Sequence, residues 1–211
     1  WLAANLEDMT RSAAQRLLEE GSVTKDGKAL AKNYKLTGME QAFTIVKKLG
    51  GWIVDRVLNW TDKERRKVLC IADGGMNDCL YELYKITGED CYAEAAEKID
   101  EADLFPSLAM GKDVLPNKHA ADTISKILGA LNRYIAFGES QVRSLETAKN
   151  FFDMVVTGHT YVTGGNGELE HFRTAGDVAA ERTQYNCETC STYGMMNLAE
   201  RLYSVTGDKR Y

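Results

Sequence analysis

The sequence predicts an all-α protein made of stacked αα-hairpins, and three observations carry that expectation. Apolar residues recur at helical spacing: Ile124, Ile127, Leu128, Leu131 and Ile135 trace one face, and Val142, Leu145, Ala148, Phe152 and Val155 trace another. Only two prolines, Pro106 and Pro116, interrupt 211 residues, and strand-like alternation is scarce. A short signal also repeats: "YKLTG" at Tyr34–Gly38, "YKITG" at Tyr84–Gly88, "YIAFG" at Tyr134–Gly138 and "YSVTG" at Tyr203–Gly207. The first three fall 50 residues apart and the fourth 69 later, which leaves room for an inserted loop.

Each signal reads as an aromatic helix end running into Gly, which adopts the left-handed conformation that stops a helix. A polar residue follows, suited to capping the next helix. Those second helices are visible as "EQAFTIVKKLGGWIV", "CYAEAAEKI" and "LETAKNFFDMVV". The hairpins so formed bury one another's apolar faces. After the fourth signal the chain reads "DKRY", and Gly207–Tyr211 corresponds position for position to Gly88–Tyr92. The expectation is one incomplete domain over residues 1–211, truncated at its C-terminal end. Apolar surface around Met195–Tyr203 should then stand exposed.

Composition narrows the function. A net charge of −5 argues against a nucleic-acid partner. The one basic cluster, "KERRK" at Lys63–Lys67, has the composition of a solvated helix face. No apolar run is long enough to span a bilayer, so no membrane role is expected. Five cysteines, an odd number, do not make a disulfide framework. Reduced thiols favour a cytoplasmic setting, while the oligomeric state is not encoded in any recognisable pattern.

Stacked hairpins place their loops at two ends, where sites are built. Three segments stand out: "DGGMND" at Asp73–Asp78; "LPNKHAAD" at Leu115–Asp122, with His119 at the start of a long helix; and "YVTGGNGELEHF" at Tyr161–Phe172, delivering Glu168, Glu170 and His171. The "GGNG" is not a phosphate loop, because no Lys-Ser/Thr follows it. A fourth stretch, "YNCETCS" at Tyr185–Ser191, holds Cys187 and Cys190 around Glu188. It could be half of a metal site, a redox pair or two packed thiols. An extended approach to the following helix would set Glu188 and Cys190 on one side and leave Cys187 packed. Zinc suits mixed thiolate and carboxylate donors but takes about four, and the stretch supplies two. His119, His159 and His171, taken singly, read as structural or exposed.

Together "GGMND", the His-Ala of "NKHAAD", "TYVTGGNGELEHF" and "RTQYNCETCSTYGMMNLAERLYSVTGD" resemble glycoside hydrolase family 127, the β-L-arabinofuranosidase-like enzymes. The resemblance implies that the hairpins form part of an (α/α)6 toroid. It implies a retaining glycosidase acting on terminal arabinofuranosides or related plant-glycan sugars, with an oligosaccharide or glycoside as substrate. It also implies Zn2+ as cofactor and a zinc-held cysteine thiolate as nucleophile, in place of the second carboxylate of most retaining enzymes. Glu170 matches the acid/base, Glu188 and Cys190 match two zinc ligands, and His119 matches a histidine that touches the sugar. The nucleophile's Cys-Cys pair would lie well beyond Tyr211, so residues 1–211 alone are expected to be inactive. Two departures stand out: Thr24-Lys25 occupies the place of a His-Lys pair, and "HAADTISK" replaces the more usual "HANTQIPK". The alternative reading is a catalytically inactive carbohydrate-binding relative, and a thiol redox protein using Cys187 and Cys190 is a third.

Overall fold

The computed structural model describes residues 10–25, 27–31, 34, 38–70, 74–177 and 183–211, with Arg11 described by its backbone alone. Lys35–Thr37 of the first repeat signal, Asp73 of "DGGMND" and Arg182 lie outside the described residues. The chain divides into two units, Trp1–Val46 and Lys47–Tyr211.

In the first unit, α1 (Arg11–Glu19) starts at Thr10, whose hydroxyl accepts the Ala13 amide at 3.1 Å. Strands β1 (Thr24–Lys25) and β2 (Lys28–Ala29) form a minimal hairpin whose turn contains Gly27 at φ 74°. Lys25 Nζ sits 2.6 Å from Glu40 Oε1 and 2.9 Å from the Tyr34 hydroxyl, and these partners raise the Lys25 pKa. Here the first repeat signal departs from expectation. Tyr34 is not helical, and Gly38 begins a helix, α2 (Gly38–Leu58), instead of ending one.

The second unit is helical among its described residues. Its further helices are α3 (Asp62–Leu69), α4 (Met76–Thr87), α5 (Asp90–Ile99), α6 (Leu104–Ala109), α7 (Ala120–Phe137), α8 (Val142–Gly158) and α9 (Thr189–Thr206). Thr61 and Glu64 close a reciprocal capping box on α3, whose basic face is solvated as expected. Arg65 is the exception, its guanidinium donating to the Lys98 and Asp100 carbonyls at 2.5 and 2.7 Å.

Two hairpins, α4–α5 and α7–α8, confirm the repeat. Gly88 (φ 71°) and Gly207 (φ 68°) stop α4 and α9 in the left-handed conformation. Gly138 differs: at φ 65°, ψ −145° it leads into a 3-10 turn, Gly138–Gln141, before α8 begins. Helix α7 is the hub, packing against α4, α8 and α9. Glycines permit the closest approaches. A Cβ on Gly129 of α7 would lie 2.2 Å from the Asn77 side chain of α4, and one on Gly194 of α9 would lie 2.7 Å from Ile124 Cγ2 of α7.

The buried face of α8 runs through Thr147, Ala148, Phe151 and Val155. Phe151 and Phe152 both fit the helical period, and the structure chooses Phe151, which meets the Phe172 ring edge-on at 6.1 Å. Phe152 is partly buried against Tyr211, while Val142 and Ile135 are exposed. On α9, Met195, Leu198 and Leu202 face the core, and Tyr193, Met196 and Tyr203 are exposed, as the sequence suggested.

The described part of "DGGMND" serves packing. Asn77 is buried and donates to Asp100 Oδ1 at 2.9 Å; Asp78 pairs with Arg201 of α9 at 2.7 Å. Asp100 also accepts from Tyr81 (2.7 Å) and Arg133 (3.0 Å). Burial raises its pKa, against the opposing pull of those donors. Among the described residues, no helix is long and apolar enough to cross a membrane.

Candidate active site

Most of the candidate site lies not on the helices but on short extended stretches at their ends. Asn117–Ala120, which leads into α7, runs beside Glu170–Phe172. The Ala120 amide donates to the Glu170 carbonyl at 2.7 Å, the Phe172 amide to the Lys118 carbonyl at 2.9 Å, and the Asn117 amide to the Phe172 carbonyl at 2.8 Å. Glu168 and His171 exchange both backbone hydrogen bonds, at 2.8 and 3.1 Å, so Leu169 and Glu170 are the two central residues of a tight hairpin turn. Both have positive φ, 49° and 66°, the mark of a type I′ turn, where Asn-Gly is the favoured pair. Non-glycine residues held this way cost on the order of 1 kcal/mol or more each, and such strain gathers at functional sites.

That turn projects Glu170 outward, its side chain 60% exposed, with Oε2 3.6 Å from His119 Nε2. His119 is the N-cap of α7, as expected, and its Nδ1 accepts the Asp122 amide at 3.4 Å. Asp122 Oδ2 lies 3.5 Å from the same Nδ1, and Nε2 is the nitrogen that faces Glu170. His171 meets the His119 ring edge-on at 5.4 Å, while its own Nδ1 lies 2.7 Å from the Leu169 carbonyl. Two clefts open here. One, of about 690 Å³, is lined by residues including Arg66, Lys118, His119 and His171. The other, of about 490 Å³, is lined by Leu169, Glu170, Gln184, Tyr185, Asn186 and Glu188.

Glu170 and Glu188 therefore share one hollow. The second arm of the site runs beside the first: the Leu169 amide donates to the Tyr185 carbonyl at 2.9 Å and the Cys187 amide to the Gly167 carbonyl at 3.3 Å. Glu188 is extended (φ −61°, ψ 139°) and is itself the N-cap of α9, though its side chain makes no capping bond. Cys190 already lies in the first helical turn, with Sγ 3.8 Å from Glu188 Oε2. The pair meets as expected, but across a helix start and not along a strand. Cys187, at φ 56°, packs against the Gly-rich loop: its Sγ is 3.7 Å from Thr163 Oγ1, and a Cβ on Gly165 would lie 2.4 Å from its own Cβ.

As a metal centre the arrangement is incomplete. Glu188 and Cys190 offer a carboxylate and a sulfur side by side. No group of three or more His, Cys, Asp or Glu side chains able to hold a metal ion occurs among the described residues. A carboxylate and a thiol are two donors, where a zinc site takes about four.

Glu168 is the opposite of Glu170, only 2% exposed. Burial pushes its pKa up, but donors from the Thr183 side chain and amide, from Tyr161 and from Asn186 outweigh that and hold it below the usual carboxylate value. Two features escaped the sequence. His171 reaches His119 only through backbone pairing across the site, and the anchoring of Glu168 depends on residues before and after it. His159 is structural: it is buried, 2.9 Å from Asp113, with its ring edge against Phe172.

A comparison with curated proteins returns no match. The family model for the β-L-arabinofuranosidase GH127 catalytic domain matches residues 23–211. That match spans the loop carrying His119, the turn carrying Glu170 and the Glu188–Cys190 helix start, and the chain belongs to this family of glycoside hydrolases.

Proposed function

We propose that this chain forms part of an (α/α)6 glycosidase domain that hydrolyses terminal arabinofuranosides with retention of configuration. Glu170 is its acid/base. The observation that carries the reading is the position of Glu170: an exposed carboxylate at positive φ, beside a histidine Nε2 and over a hollow it shares with Glu188. In the first step Glu170 protonates the departing glycosidic oxygen, and in the second it takes a proton from the attacking water. His119 Nε2, facing Glu170 Oε2, is placed to meet a sugar hydroxyl in the adjoining cleft.

Glu188 and Cys190 are proposed as two donors of a zinc ion, which when bound would keep a cysteine nucleophile deprotonated. The nucleophile and the remaining donors belong outside the residues described. The alternative, a carbohydrate-binding relative without turnover, is favoured by Thr24, which stands where the family's His-Lys pair has its histidine.

In the intact protein, Glu170→Gln should lower kcat on alkyl glycosides by about 10²–10⁴-fold, in line with general acid catalysis, with zinc content unchanged. Cys190→Ala should lower zinc content measured by atomic absorption. Full activity and full metal in Cys190→Ala would overturn the ligand assignment. Glycoside binding without turnover in the unmodified protein would establish the alternative.

A further inference from the structure

We propose that Glu168 is a positioning residue for Glu170, its buried carboxylate fastening the turn that presents the acid/base to the hollow. The inference rests on the reading of Glu170 given above.

The argument begins with placement. Glu168 immediately precedes the two positive-φ residues, Leu169 and Glu170, whose side chains do not favour that backbone. A turn made from such residues persists only when its surroundings over-determine it. Backbone pairing with His171 closes the turn, and single bonds from Ala120 to the Glu170 carbonyl and from Leu169 to the Tyr185 carbonyl hold its backbone from two sides. The carboxylate adds the side-chain anchor at the base of the turn. Oε2 accepts the Tyr161 hydroxyl at 3.1 Å and the Thr183 amide at 3.4 Å, and Oε1 accepts the Thr183 hydroxyl. Tyr161 belongs to the loop after α8, and Thr183 to the segment that runs into Glu188 and Cys190. One side chain thus ties the Glu170 turn to both flanking segments.

The chemistry of the residue fits this task. A buried carboxylate is costly unless its lone pairs are met, and here two oxygens receive donors from two separate pieces of chain. A glutamine would keep its one acceptor oxygen for the Tyr161 hydroxyl and the Thr183 amide but turn an N–H₂ towards the Thr183 hydroxyl, which must then accept instead of donate. The negative charge that strengthens all three bonds is gone. The local geometry would loosen while the fold remained.

The test uses the intact protein with three variants, Glu168→Gln, Tyr161→Phe and, as reference, Glu170→Gln. Each is assayed on an alkyl arabinofuranoside, whose leaving group needs protonation, and on a nitrophenyl arabinofuranoside, whose leaving group does not. Misplacement of the acid should lower kcat of Glu168→Gln on the alkyl substrate by about ten- to a hundredfold. KM should stay within about twofold and the nitrophenyl substrate should suffer much less. Tyr161→Phe should show the same pattern at a few-fold. Equal losses on both substrates, a change in KM alone, or unchanged kcat would overturn the inference, since a merely structural role has no leaving-group dependence. If Glu168→Gln does not fold, Tyr161→Phe decides by the same criteria. If Glu170→Gln itself shows no leaving-group dependence, the acid/base reading fails and takes this inference with it. If only the Glu168 and Tyr161 variants lack that dependence, the positioning role alone is lost.

Discussion

Helices α4, α7 and α9 pack through broad buried faces that approach closely at glycines, whereas the stretches Thr160–Phe172 and Thr183–Cys187 are fixed by single hydrogen bonds. In the helical body each residue's conformation agrees with its neighbours' preferences, and Ile124, Ile127 and Leu131 are all fully buried on one face. In the site, Leu169, Glu170 and Cys187 all sit at positive φ without being glycine. The body holds its shape by summed weak contacts, so no one bond decides it. The site holds its shape by a few directional bonds, so each one matters. Among the described residues, every non-glycine at positive φ, Asn117 included, lies in the stretches that carry the proposed chemistry.

The contrast can be broken by substitution. Phe151→Ala, in the body, should destabilise the protein by about 3–5 kcal/mol, as expected for deleting a buried aromatic ring. Urea denaturation measures it. A loss below about 1 kcal/mol would mean that the body is not close-packed at the Phe151–Phe172 contact.

Acid should sharpen the contrast, because the two regions carry buried carboxylates shifted in opposite directions. The pKa of Glu168 lies below its ordinary 4.5 in the folded protein, so its stabilisation is complete above that value and is lost as the pH falls beneath it. Asp100, in the body, has its pKa raised above its ordinary 3.8. Its contribution is present at low pH and is lost as the pH rises through the folded value. Hydrogen exchange at about pH 5 and about pH 3, corrected for intrinsic rates, should show the Leu169 and Cys187 amides losing protection while α7 amides keep theirs. Equal losses in both regions would remove the distinction.

The smallest effect is expected at the turn itself. Leu169 is half-exposed, so little burial is forfeited on replacing it. Leu169→Asn places a residue that tolerates positive φ at the first central position and should stabilise by about 0.5–1 kcal/mol. A destabilisation of the same size would show that the turn is unstrained.

How far the sequence led follows the same division. Helices were legible because each carries its own periodicity and its own stop, as Gly88 and Gly207 show. It misled where two neighbours fitted one period, as with Phe151 and Phe152, and where the first repeat signal proved to start a helix. "DGGMND" reads like a loop with chemistry, yet Asn77 and Asp78 are spent on Asp100 and Arg201. In the site, the Glu188–Cys190 pair was legible from spacing, although its geometry comes from a helix start. The meeting of His119 with His171 and the anchoring of Glu168 by Thr183 were not, because they join residues with no periodic relation.

The backbone at Glu170 has an evolutionary consequence. Glycine or asparagine would sit more comfortably at φ 66°, but neither carries a carboxyl group. Position 170 is therefore a place where selection on chemistry opposes the preference of the chain. In a lineage released from the need to cleave glycosides, drift would favour the more comfortable residue there, and the sequence of that descendant would record the loss before its helices did.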